Sequence, residues 1–227
     1  MRNIAKSLES LKQRIDRAER RYGRDSGAVT VLAVSKTRPV QDIITAAEHG
    51  QRDFGENYVQ EAIAKITSLN HHGLVWHFIG PVQSNKTSTI AEYFDWVHSI
   101  DRIKIIKRLN DARPDNLVPI NLCVQINISK EQNKSGISPD ELEQLLAECA
   151  DFSRVRIRGL MTLPKPCDDF EQQRMQFNEL KKLFEKINMN CGQYDTLSMG
   201  TSNDFEAAIA EGSTIVRTGT AIFGARS

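Results

Sequence analysis

Residues Val29 to Pro39 read VTVLAVSKTRP, an apolar, β-branched run that ends directly on a lysine. Val31, Leu32, Ala33 and Val34 follow one another without alternation, the pattern of a strand buried on both faces in a parallel sheet. Lys36 therefore sits where a strand leaves the core. Partial desolvation of an ammonium there lowers its pKa and frees an amine to attack a carbonyl. A surface lysine whose stem lies along the strand end has the same local sequence, so the case rests on what else reaches that place.

Outward from this stretch, strand and helix patterns alternate. Before it, Ile4, Leu8, Leu11, Ile15, Ala18 and Tyr22 recur at helical spacing among charges and predict an amphipathic helix ending near Gly23. Strands are expected at 29–35, 52–54, 75–79, 96–98, 119–128, 156–160, 196–198 and 214–217. Helices are expected at 39–49 (capped by Gly50), 57–69, 84–94, 102–112, 139–150, 168–187 and 204–211, with a polar loop over 129–136. Eight such units predict an α/β protein: a closed (β/α)8 TIM barrel with an additional N-terminal helix, read as a single domain over 1–227 because no linker or repeat divides it.

Composition narrows the function classes. The 227 residues carry 30 Lys and Arg against 29 Asp and Glu, a formal net charge of +1, with 40% hydrophobic content. Near-neutral balance offers no electrostatic footprint for nucleic acid or a membrane surface as a partner. Cys123, Cys149, Cys167 and Cys191 form no ligand or redox motif and read as free thiols. The charged N-terminal stretch has neither an h-region nor an apolar span, so a reduced, cytoplasmic location is expected. His71 and His72 fall in a polar turn with no third ligand, and no metal site is expected.

In such a barrel, chemistry sits at the carboxyl ends of the strands. The positions there are Lys36; Glu56 and Asn57; His77 and Gly80; His98 and Ser99; Asn127; Met161 and Thr162; Ser198, Gly200, Thr201 and Ser202; and Arg217, Gly219 and Thr220. His77 reads either as an interior-facing group or as a hydrogen-bonded core histidine. Lys134, in the loop after the fifth strand, reads as solvated or functional. The segments SMGTSND and VRTGTAIFG place hydroxyls and glycines at loops where barrels hold phosphate, although Ser202 and Asn203 also suit helix caps and the glycines suit turns.

Lys36 beside such loops points to a ligand with an aldehyde at one end and a phosphate at the other, a description pyridoxal 5'-phosphate (PLP) meets. Arg217 would lie near the ring edge. A guanidinium cannot act as an acid toward the pyridine nitrogen, so that nitrogen stays unprotonated and the ring is a weaker electron sink.

The segments AVSKTRP, FGENYVQEA, WHFIGPVQSNK, HSID, RGLMTLP, SMGTSNDFEAAI and GSTIVRTGTAIFGAR, spanning 33 to 226, resemble the pyridoxal phosphate homeostasis proteins, the YggS/PROSC family. The resemblance implies PLP fold type III, a barrel similar to the cofactor domain of alanine racemase without that enzyme's second domain. It implies Lys36 as the covalent aldimine lysine, Ser198, Gly219 and Thr220 at the phosphate, Arg217 facing the pyridine nitrogen and Asn57 near the cofactor. Thr201 departs from the family's usual methionine.

By that resemblance the chain carries or buffers PLP and maintains vitamin B6 and amino-acid and keto-acid pools, with no assigned catalytic residue. PLP-dependent apoenzymes are candidate transient recipients, and a monomer is expected. Two-base racemisation needs an acid/base on each face of the substrate α carbon. Of Tyr22, Tyr58, Tyr93 and Tyr194, only Tyr58 falls near a predicted strand end, and a second base is not evident. The alternatives are a PLP-dependent amino-acid racemase and an aldolase using Lys36 on a sugar phosphate.

Overall fold

In the computed structural model the described residues are 3–129 and 135–225, without the side chains of His71, Asn190 and Cys191. Lys134, the middle of the predicted polar loop and the Cys191 thiol lie outside them. Eight strands close into a parallel barrel in chain order: β1 (Thr30–Val34), β2 (Asp53–Glu56), β3 (Val75–Phe78), β4 (Trp96–Ile100), β5 (Ile120–Gln125), β6 (Val155–Met161), β7 (Thr196–Thr201) and β8 (Ile215–Thr218). Closure is made by β1 and β8, with Leu32 opposite Arg217 and Ala33 opposite Thr218. The register sets the lysine-bearing loop beside the last strand.

The helices are α1 (Ile4–Arg21), α2 (Val40–Glu48), α3 (Val59–Ser68), α4 (Thr87–Tyr93), α5 (Ile103–Ala112), α6 (Leu142–Glu148), α7 (Phe170–Cys191), α8 (Phe205–Ala210) and a short α9 (Thr220–Phe223) that the sequence pattern did not reveal. Helix α1 buries Ile4, Leu8, Leu11, Ile15 and Ala18 as one stripe, starts on the Asn3 side chain, which accepts from the Lys6 amide, and packs on α8 and α9. Its buried Glu19 accepts from the amides of Gly27 and Val29, at 3.1 and 2.8 Å, and so fixes where the chain enters β1. No helix among the described residues is long and apolar enough to cross a membrane.

Several boundaries differ from expectation by a few residues, and two of them show a local reason. Strand β5 stops at Gln125; the next amide, of Ile126, still donates to the Met161 carbonyl at 2.8 Å, and Ile126 also bridges Ile137 of the following segment. Helix α6 begins after a 3-10 turn over Pro139–Glu141, started by a capping box in which Ser138 and Glu141 satisfy each other's backbone amides.

Alternation along the strands separates two layers. Phe54, Phe78, Val97, Leu122 and Val216 belong to the apolar core. His77, His98, Ser198 and Arg217, also buried, hydrogen-bond one another, including across β4 and β7, which are not neighbours in the sheet. Only inward-pointing side chains can meet in that way. Barrel interiors are ordinarily filled by branched aliphatics, so this one is unusually polar. Of the described thiols, Cys123 and Cys149 are buried, and burial pushes them up to about 12 and about 11.

Strand β6 approaches β7 closely where the β5–β6 register shifts between Leu122 and Cys123. A Cβ on Gly159 would collide with the carbonyl oxygen of Thr196. Gly159→Ala is therefore expected to lower stability by about 3 kcal/mol through overpacking, read as a lower midpoint in urea unfolding; an unchanged midpoint would show that the strands can separate there.

Candidate functional site

A cavity of about 300 Å3 opens at the carboxyl ends of the strands, at the lower end of the roughly 300–1,000 Å3 of small-molecule sites. Lys36 and Arg38 reach it from the β1–α2 loop, Asn57 from the end of β2, Met161 and Leu163 from β6 and beyond, Thr201, Ser202 and Asn203 from β7 and its loop, and Arg217, Gly219 and Thr220 from β8 and the turn after it. The titratable side chains among these are Lys36, Arg38 and Arg217, all cations.

The loop bearing Lys36 is tightly specified. Thr37, the next residue, has φ +63° and is the one non-glycine residue with positive φ among the described residues. Such a conformation costs about 1–3 kcal/mol and persists because neighbours impose it. The Thr37 amide donates to Glu61 Oε1 at 2.6 Å. Behind the loop the buried Lys65 Nζ donates to Glu61 Oε1, Glu56 Oε1 and the Ser35 carbonyl, at 2.6, 2.8 and 2.8 Å. The Ser35 hydroxyl donates to the same Glu56 oxygen at 2.6 Å. Burial raises the Glu56 carboxyl, and the Lys65 and Ser35 hydrogen bonds work against that rise. Glu56 thus braces the loop and does not line the cavity.

Close backbone approaches bring the other walls in. Gly80 has no room for a Cβ against the Asn57 carbonyl, so the segment carrying Asn57 lies hard on the end of β3. A Cβ on Gly219 would stand 3.1 Å from the Val34 carbonyl oxygen, which seats the turn after β8 on the end of β1. The Ser202 hydroxyl accepts from the Ala221 amide at 3.3 Å and ties the β7 loop to α9. Asp204, not Ser202 or Asn203, is the N-cap residue of α8. The Thr201 hydroxyl donates to Asp204 Oδ1 at 2.8 Å, which accounts for the polar residue at that position.

Arg217 is 5% exposed. Its Nη1 donates to the carbonyl and hydroxyl oxygens of Ser198, both at 2.6 Å, and Nη2 donates to the Thr162 carbonyl at 2.8 Å. Burial pushes the guanidinium down to about 10, so it remains protonated at neutral pH. Beneath it, Ser198 Oγ lies 2.7 Å from His98 Nδ1, His98 Nε2 lies 2.9 Å from His77 Nδ1, and His77 Nε2 lies 3.1 Å from Asp53 Oδ1. His77 is therefore both interior-facing and hydrogen-bonded.

Of the residues singled out in the sequence, Lys36, Asn57, Arg217, Gly219 and Thr220 line one cavity. Ser198 stands apart: it is fully buried below Arg217, its hydroxyl engaged by Arg217 and His98, and it is not on the cavity wall. Arg38, Asn203 and Gly224 line the cavity and were not singled out there as ligand contacts. Arg38 shares the Lys36 loop and donates to the Gly224 carbonyl at 2.5 Å, a contact nearly the length of the chain away in sequence. Among the described residues no cluster of His, Cys, Asp or Glu is arranged to hold a metal ion.

The cavity suits a small anion bearing an electrophile. Its charged lining is cationic, one of the cations is a primary amine, and the buried Asn57 Oδ1 has no hydrogen-bond partner within the protein. A ligand donor would satisfy that acceptor.

The fold is that of the alanine racemase N-terminal barrel. The family model described as alanine racemase, N-terminal domain, matches residues 7–227, and alanine racemase from Corynebacterium glutamicum superposes with a TM-score of 0.70 at 19% identity, over 98% of this chain and 61% of that one. Within that class, the chain belongs to the pyridoxal phosphate homeostasis protein family. It is 50% identical over 229 residues to the pyridoxal phosphate homeostasis protein of Escherichia coli K12, covering 100% of this chain and 98% of that protein. The Pseudomonas aeruginosa protein of the same description is 48% identical over 226 residues, covering 100% and 97%. PipY of Synechococcus elongatus with PLP bound has a TM-score of 0.84 at 34% identity, over 98% of this chain and 100% of that one.

Burial holds His98 well below its ordinary value, with the charges of His77 and Arg217 acting in the same direction. A depressed folded-state pKa contributes stability that is present above the unfolded-state value and is lost as pH falls. Stability is therefore expected to decline below about pH 6.5, by up to about 1.4 kcal/mol per pH unit from this residue. His98→Gln should flatten that slope by one proton in denaturant titrations between pH 5 and 7; an unchanged slope would place the proton uptake elsewhere.

Proposed function

We propose that this chain binds PLP in the cavity at the carboxyl ends of the strands and acts as a carrier or buffer of the cofactor. The observation that carries the reading is the lining itself: three cations, one of them a lysine at the end of β1, with no carboxylate among them. That field suits a phosphate dianion, and the lysine suits an aldehyde. PipY, which shares the fold over nearly all of both chains, was solved with PLP bound.

Each residue has a definite part. Lys36 is the covalent anchor. When bound, PLP supplies an aldehyde carbon that amines capture reversibly and a ring that withdraws electrons. The amides of the first turn of α9, from Gly219 and Thr220, with the loop 201–203, hold the phosphate end, since the opening amides of a helix have no intrahelical acceptor. Arg217 faces the ring nitrogen as a donor only and keeps its own proton there. Ser198 takes a different part from the one its motif suggested, holding Arg217 from below. Asn57 offers its unpartnered oxygen to the ligand.

The carrier reading draws support from what a racemase would need. Arg38 and Arg217 are not bases at neutral pH, so Lys36 is the one base among the described lining residues, and none of the four tyrosines lines the cavity. Leu163 on the rim is 45% exposed, and an accessible rim favours release of the cofactor to PLP-dependent apoenzymes, the proposed recipients.

Lys36→Ala is expected to abolish borohydride-trapped labelling while retaining non-covalent PLP affinity; an adduct at full yield in that variant would refute the anchor assignment. In deuterated water with free amino acids, the loaded protein is expected to exchange α protons within about tenfold of free PLP. An acceleration of about 10⁶-fold, the lower end for enzymes, would replace the carrier by a racemase.

A further inference from the structure

We infer that Asp53, at the amino end of β2 and away from the cavity, is a positioning residue for Arg217, acting through a one-way hydrogen-bond relay that runs Arg217, Ser198, His98, His77, Asp53. Its effect on the cofactor rests on the PLP reading above; the relay itself does not.

The direction of every bond follows from the two ends. A guanidinium can only donate, so Ser198 Oγ accepts from Arg217 Nη1 at 2.6 Å. The Ser198 hydroxyl has one other side-chain neighbour, His98 Nδ1 at 2.7 Å, and its proton must go there. His98 Nδ1 is then an acceptor, and the neutral ring carries its proton on Nε2, donating to His77 Nδ1 at 2.9 Å. His77 in turn holds its proton on Nε2 and donates to Asp53 Oδ1 at 3.1 Å. The relay ends correctly, because a carboxylate can only accept. Either histidine in the other tautomer would set two donors or two acceptors face to face at some link.

Burial makes the arrangement consequential. Ser198 and His98 are fully buried and His77 is 1% exposed, where an unmatched polar contact is costly and aligned hydrogen bonds polarise one another. The His77 ring is held flat against Trp96, with centroids 5.5 Å apart and planes within 9°. Arg158 lies 5.0 Å from the Trp96 ring centroid and pairs with Asp195. Asp204 contributes charge to Arg217 through space, whereas the relay fixes direction. The relay takes one Nη1 proton through the Ser198 hydroxyl, the Ser198 carbonyl takes the other, and Thr162 takes one from Nη2. So held, Arg217 lines the cavity.

The test has two readouts on the full chain. Imidazole 15N NMR of the unliganded protein at pH 7, assigned with His77→Asn and His98→Asn, is expected to show both rings neutral and protonated on Nε2. An Nδ1–H tautomer or an imidazolium at either position overturns the relay. PLP titrations then form a double-mutant cycle between Asp53→Asn and Arg217→Lys. Asp53→Asn alone is expected to weaken binding about tenfold, the scale of one charge-assisted hydrogen bond, and to move the bound absorption maximum in the same direction as Arg217→Lys. In the Arg217→Lys background it should add less than about twofold.

Full additivity overturns the positioning role. Ser198→Ala, which cuts the relay beside Arg217 with little change in volume, must reproduce the Asp53→Asn effect and decides the matter if Asp53→Asn does not fold. A protein that binds no PLP at all would sink the functional reading while the tautomers still judge the relay.

Discussion

A guanidinium taken out of water must find acceptors for its protons, and the burial of Arg217 inside a closed barrel is the constraint from which the site follows. Thr162, just past β6, and Ser198, within β7, supply carbonyls, and the Ser198 hydroxyl hands the demand on to two histidines. The barrel interior is polar for that reason. An aliphatic filling would leave the two backbone carbonyls but remove the hydroxyl that accepts the other Nη1 proton.

The same economy shapes the lysine side. Lys36 follows Ser35, whose carbonyl and hydroxyl are both held by the buried Lys65 and Glu56 pair, and precedes Thr37, which is kept in a left-handed conformation by Glu61. Strain at one residue is tolerated because Glu61 holds the Thr37 amide and is itself tied through the buried Lys65 to Glu56. The loop therefore presents Lys36 from a rigid support. Close contacts at Gly80 and Gly219 then press the β2 and β8 ends against their neighbours.

Much of this was readable in advance. The unbroken apolar run at Val31 to Val34, repeated in kind along the chain, predicts a parallel barrel because burial on both faces leaves no room for alternation. The rule that chemistry gathers at carboxyl strand ends led to Lys36, Asn57, Arg217, Gly219 and Thr220, which share a cavity. Ser198 shows where such reading fails. Its motif placed it with the hydroxyls around it, but Ser198 lies within β7 with its side chain buried in the barrel interior whereas Ser202 lies past the strand on the cavity wall, and a hydrogen-bond partner 100 residues away, His98, decides its part. Arg38 was missed because its contact with Gly224 is long-range, and α9 because four residues carry too little periodicity to register.

What the sequence determined by itself was the order of strands and helices and the list of polar residues at strand ends, since both depend on spacing over a few residues. What only the tertiary structure decided was which of those residues touch. Lys65 bracing the Lys36 loop and Asp53 connected to Arg217 through two histidines each join side chains on different strands or helices. Side-chain hydrogen bonds across a barrel obey the geometry of closure, strand number and register together, and no local pattern in the chain encodes that.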